Sequence, residues 1–95
     1  MYKNKVTKKN YCIVTRVGQP DQVMTLSDID IMKLVIDEIN KYKWSTATYD
    51  DAESNPMFIW KVNACNDEGP PEQDVLTIIG GEYKEVKAFY SRCFV

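Results

Sequence analysis

The stretch from Thr25 to Lys43, TLSDIDIMKLVIDEINKYK, constrains the fold more than any other in this chain. At about 100° per residue, Leu26, Ile29, Ile31, Met32, Val35, Ile36, Ile39 and Tyr42 share one broad arc. Asp30, Lys33, Asp37, Glu38, Asn40 and Lys41 share the other, with Leu34 alone among them. Thr25 or Ser27 can cap the start, each followed three residues later by an acid, Asp28 or Asp30. Acids gather in the first turns and lysines in the last, the order a helix dipole favours. An apolar arc this wide exceeds a coiled-coil seam and suits a helix lying across a sheet.

The rest of the chain supplies the sheet. Tyr11–Val17, YCIVTRV, is β-branched and aromatic and ends at Gly18, which predicts a first strand followed by a turn through Asp21. Trp44–Asp50, WSTATYD, alternates loosely and predicts a second strand. Met57–Cys65, MFIWKVNAC, is the clearest strand: Phe58, Trp60, Val62 and Ala64 line a face expected to meet the helices. Met57, Ile59, Lys61, Asn63 and Cys65 line the other, and its apolar start implies partial cover by a neighbour or a partner. After the breaker at 66–74, Val75–Ile79, VLTII, predicts a central strand stopped by Gly80-Gly81. In the last segment Tyr83, Val86, Phe89, Tyr90, Cys93 and Phe94 share one helical arc. A Gly-Gly hairpin into a final strand is the other option there, but alternation fails at Glu85 and Lys87, so a helix is expected.

The expected fold is therefore α+β, an antiparallel sheet of about four strands with two helices on one face, in the order β-α-β-β-β-α. Residues 1–10, with Lys3, Lys5, Lys8 and Lys9, are expected to form a basic, partly flexible arm, and residues 11–95 a single domain.

Chemistry is bounded mainly by what the sequence lacks. It has no histidine, which removes Ser-His-Asp and Cys-His catalysis and histidine-ligated zinc. The three cysteines, Cys12, Cys65 and Cys93, are odd in number and scattered, and are read as reduced and mostly buried, hence a cytoplasmic protein. A net charge of −2 argues against a general nucleic-acid binder. No apolar run reaches the length of a membrane span. Asp50-Asp51-Ala52-Glu53 lacks the spacing and glycine of a calcium loop, and Gly80-Gly81 lacks the Gly-Lys-Ser/Thr end of a phosphate loop. No enzyme activity, metal or cofactor is expected.

With the first strand taken as rising, the expected order gathers Asp21, Asp28, Asp30, Asp50, Asp51, Glu53, Glu82 and Glu85 at one pole, opposite the basic N-terminus, Lys41 and Lys43. Acids at helix starts and in turns also serve local stability. As a surface they suit a basic protein partner. The reading is a non-enzymatic intracellular binding or regulatory protein, an inhibitor or mobile-element accessory protein in its size and composition. Its partner-binding candidates are Asp28, Asp30, Asp50, Asp51 and Glu53, and Leu34, Met57 and Ile59 look like surplus apolar surface.

The alternative is an RNA-binding module. From residue 25 on, the α-β-β-β-α order resembles double-stranded-RNA-binding domains, and Lys84-Glu-Val-Lys87 resembles their basic helix start. That resemblance implies phosphate contacts by Lys84 and Lys87. The sequence departs from it in opening the helix with Glu82 and placing Glu85 among the lysines. Tyr11, Tyr49, Phe58 and Trp60 are candidate stacking platforms in this reading, although aromatic strand residues more commonly fill a core.

Overall fold

The structure is a computed structural model that describes residues 9–51, 56–65 and 73–94. Of the expected arm at 1–10, residues 1–8 lie outside the described residues, as do residues 52–55 and the connector residues 66–72, while Lys9 and Asn10 open the first strand. Seven elements follow in order: β1 (Lys9–Arg16), β2 (Gln22–Ser27), α1 (Asp28–Ile39), β3 (Trp44–Asp51), β4 (Met57–Cys65), β5 (Gln73–Gly81) and α2 (Tyr83–Phe94). The fold is α+β, and its five strands form one sheet in the order β2-β1-β5-β4-β3, every neighbouring pair antiparallel.

The fifth strand is β2, which the helical period of Thr25–Lys43 concealed. Gly18, at φ 77°, turns the chain after β1, and Gln22–Ser27 then returns antiparallel to it, pairing Val14 with Gln22 and Lys9 with Ser27. Met24 and Leu26 face the core as strand residues rather than as a first helical turn. The helix proper starts after Ser27, whose hydroxyl accepts the Asp30 amide at 3.2 Å, so Ser27 rather than Thr25 is the cap. It ends at Ile39, with the Asn40 amide donating to the Ile36 carbonyl at 3.0 Å.

The helices sit on opposite faces of the sheet, not on one. Ile31 and Val35 of α1 pack with Cys12, Val14, Val62, Ala64, Leu76 and Ile78. Val86, Phe89 and Tyr90 of α2 pack with Tyr11, Ile13, Met57, Ile59 and Ile79. Successive strand residues point to opposite sides, so these two sets define the two faces. The reason lies in β5. Leu76 and Ile78 point one way and Ile79 the other, all fully buried, so an apolar layer is needed on each side. Met57 and Ile59 are accordingly the floor under α2 rather than surplus surface. Between Val62 and Asn63 the β4–β5 register shifts and Val75 is passed over in the pairing, which turns Val75 into the α1-side core beside Leu76.

Gly80 and Gly81 do not break β5. They continue its ladders, Gly80 pairing with Cys12 and Phe58, and Gly81 with Tyr11 and Met57. A Cβ at Gly80 would stand 2.6 Å from the Phe58 ring, and one at Gly81 would meet the Pro56 carbonyl oxygen and stand 2.6 Å from Met57 Cα. Gly81 also has φ 140°, a backbone state that L residues rarely adopt. The turn into α2 is tied to the same place, because the Glu82 amide donates to the Pro56 carbonyl at 3.0 Å. The final segment is a helix, as its period indicated.

Helix α1 is rotated relative to its apolar arc. The row Ile31, Leu34, Val35 and Glu38 faces the sheet, and Leu34, which the arc left on the polar side, packs against the core. Glu38 is buried at the end of that row, where Lys41 Nζ reaches its Oε1 at 3.2 Å. The turn of the helix that this places outward carries Ile29, Met32 and Ile36, exposed by 46%, 39% and 48%. Leu34 is therefore not the surplus apolar position; these three are.

Substituting Gly81→Ala is expected to lower stability by about 1–3 kcal/mol, through both the φ requirement and the contact with Pro56. Urea-unfolding midpoints of wild type and variant measure this.

Candidate functional site

Two concavities lie at the end of the sheet at which α1 and α2 both start. These neighbouring clefts, of about 510 and 460 Å³, share Asn10, Tyr49 and Phe58 in their walls. The first runs over Lys9, Tyr11, Met57, Gly81, Glu82 and Tyr83. The second runs under the start of α1, between Asp28, Ile31 and Met32 on one side and Trp60 on the other.

The aromatic floor follows from strand register. Tyr49 of β3 pairs with Trp60 of β4, and Phe58 lies two residues along the same face. The Tyr49 and Trp60 rings are 4.9 Å apart with planes inclined at 54°, and Tyr49 and Phe58 are stacked at 5.9 Å. Phe58 and Trp60 are half-buried against the α1-side core, whereas Tyr49 is 50% exposed. These residues thus serve the core and the cleft at once. On the other side of the sheet, Tyr11 and Tyr83 meet edge to face at 4.8 Å and close the α2 end of the first cleft.

Asn10 joins the two parts. It is buried, and its Nδ2 donates to the Leu26 carbonyl at 3.1 Å and to Asp28 Oδ1 at 2.9 Å. The first bond ties β1 to β2, and the second fixes the Asp28 carboxylate at the cleft wall, at the positive end of the α1 dipole. Strand β1 begins before the YCIVTRV run because Lys9 and Asn10 pair with Ser27 and Leu26.

The expected acidic residues divide. Asp28 and Asp30, at the start of α1, lie at the cleft end with Asp50 at the end of β3 and with Glu82 and Glu85 at the start of α2. Asp28 and Glu82 line the clefts. Asp51 is the last residue of β3, and Glu53 lies outside the described residues. Asp21 does not join them. Strand β2 carries the chain away from the Gly18–Asp21 turn, so Asp21 sits at the far end, where it accepts a hydrogen bond from the Tyr90 hydroxyl. That bond holds Tyr90 above the usual phenol range. Lys9 also breaks the expected segregation, because it lines the first cleft on the acidic side. Lys84 and Lys87 of α2 are exposed, with Glu85 between them and Lys87 Nζ 5.9 Å from the centre of the Tyr83 ring.

Cys12 is fully buried beneath α1 and in no disulfide. Burial pushes its thiol up to about 11, the nearby Asp28 charge acts in the same direction, and a backbone hydrogen bond from Leu26 opposes both. Such a thiol is a core group and no nucleophile near neutrality. The side chains of Cys65 and Cys93 lie outside the described residues. Among the described residues no three His, Cys, Asp or Glu side chains converge as metal ligands, and no helix is long and apolar enough to cross a membrane.

Comparison with protein-family models, with curated proteins and with solved structures returns no match.

Two outcomes follow from the site's chemistry. Asn10→Ala is expected to cost about 1–2 kcal/mol in urea unfolding, since it removes the shared donor of Leu26 and Asp28. Cys12 is expected to react with a thiol reagent only as the domain unfolds, a phase that Cys12→Ala removes. The sign of its pH effect is also defined. The folded protein holds this proton more tightly than a solvated thiol, which titrates at 9.0, so its contribution to stability is intact below pH 9 and is lost as pH rises towards about 11.

Proposed function

We propose that this domain is a small, non-enzymatic, cytoplasmic binding or regulatory protein, an inhibitor or a mobile-element accessory protein, that works by contact with another protein at its cleft end. The observation that carries this reading is the exposed stripe Ile29, Met32 and Ile36 on α1, whose middle member forms the wall of the aromatic-floored cleft beside Asp28. Three large aliphatic side chains left out of a core that has room for Glu38 are positions where a partner gains more than solvent does. The neighbouring carboxylates Asp28, Asp30 and Asp50, together with Asp51 and Glu53 of the same chain segment, favour a basic surface on that partner and give the contact its salt dependence. Such an interface has an apolar centre and a charged rim, with the aromatic floor as anchor.

Capture from nuclease-treated native lysate tests the reading, with two folded variants beside wild type. One carries Asp28→Asn, Asp30→Asn, Asp50→Asn, Asp51→Asn and Glu53→Gln; the other carries Ile29→Ser and Ile36→Ser. A protein retained by wild type, released by salt, and weakened at least about tenfold by each variant is the expected result. Equal retention by all three proteins refutes the assignment. Retention of RNA before nuclease treatment, lost on substituting Lys84 and Lys87, favours the RNA-binding alternative instead.

A further inference from the structure

The edge of the sheet formed by β3 differs from the edge formed by β2. Strand β2 has six residues and is preceded by Pro20 and Asp21, features that shorten and blunt an edge. Strand β3 has eight residues, and its pairing with β4 runs unbroken from Trp44–Cys65 to Asp51–Phe58. From Trp44 to Tyr49 it contains no charge, proline or bulge, the devices that usually keep an edge from pairing with another strand. Helix α2 packs over β1 and β5 and not over β3, and among the described residues Thr46, Thr48 and Asp50 are exposed on that face and Trp44 is 57% exposed.

We infer that β3 is a self-pairing edge, at which two copies of this chain join antiparallel about a two-fold axis through Ala47 to make a continuous ten-stranded sheet. A perpendicular two-fold axis keeps the faces of the sheet in common, so only residues of the same face can stand opposite one another. Centring on Ala47 meets that condition and pairs seven of the eight strand residues, Trp44 to Asp50. Thr46 then faces Thr48 of the second copy, Ser45 faces Tyr49, and Trp44 faces Asp50. The ends of this ladder are complementary in charge: Lys43 Nζ sits 5.8 Å from the centre of the Trp44 ring, which places an ammonium where the Asp50 carboxylate of the second copy arrives. The symmetry repeats that contact at the other end. Two threonine pairs on the open face add a favourable cross-strand match. A register centred on Thr46 shortens the ladder, and one centred on Thr46 or on Thr48 separates Asp50 from Trp44. A single strand pairing is a small interface, so the dimer is in concentration-dependent equilibrium with monomer.

This inference does not rest on the partner-binding reading, because purified protein alone tests it. Sedimentation equilibrium over a wide concentration range is expected to show a monomer–dimer equilibrium. Thr46→Lys with Thr48→Lys puts like charges opposite each other at exposed positions. It is expected to weaken association at least about tenfold with the circular dichroism spectrum unchanged. Asp50→Lys alone is expected to weaken association, and adding Lys43→Asp to restore it. A monomer at every concentration, a dimer indifferent to the two lysine substitutions, or a charge swap that restores nothing overturns the inference.

Discussion

Two-sided burial of β5 is the constraint on which the rest of the structure depends. Leu76 and Ile78 are sealed under α1, and Ile79 under α2, so this strand needs an apolar cover above and below it. Its neighbours β1 and β4 share the requirement in part, through Cys12 and Val14 against Ile13, and Val62 and Ala64 against Met57 and Ile59. A sheet with one wet face cannot satisfy these residues. Burying such a side chain is worth about 1.5–3 kcal/mol, and several on each face decide the layering. The two glycines that end β5 then bring Phe58 and Pro56 close, which seats the start of α2 and the lip of the first cleft in the same place.

The site is a consequence of this layering. Once α1 is seated by Ile31, Leu34 and Val35, its remaining aliphatic residues have no sheet left to meet and form an outward stripe. The helix crosses the middle strands and leaves the Tyr49, Phe58 and Trp60 rings only partly covered at one end. Asn10 holds that end together from within β1, and the carboxylates gather there because two helix starts and the end of β3 converge. Binding surface and acidic rim thus arise from the same geometry.

Much of this was legible in the sequence, and the failures have physical causes. β4 is legible with its observed limits because its alternation is strict, and α2 is legible as the favoured of two options because its apolar residues share one helical arc. β2 was missed because Met24 and Leu26 satisfy a strand's alternation and also extend the helical arc, while Thr25 and Ser27 both offer a cap. Period analysis found the apolar content of α1 but not its rotation, since an arc with Leu34 outside it and Glu38 opposite gives no sign that both meet the sheet. Met57 and Ile59, with the unbroken VLTII run, signalled cover on the second face, yet both helices were assigned to one. Asp28, Asp30 and Asp50 were expected to share an end and do, although β2 reverses the path that was supposed to put them there and removes Asp21. The aromatic floor was named residue by residue, but its partial exposure depends on where α1 ends up lying, which no local pattern encodes.

Native-state amide exchange of the protein alone tests the central claim most directly. If β5 is the doubly covered strand that organises the fold, its amides and the facing amides of β1 and β4 exchange only through global unfolding. Those of the edge strand β2 then exchange earlier, by local opening. Exchange of β5 amides as fast as those of β2 would contradict the account, because a strand with one cover or none opens without the rest of the domain.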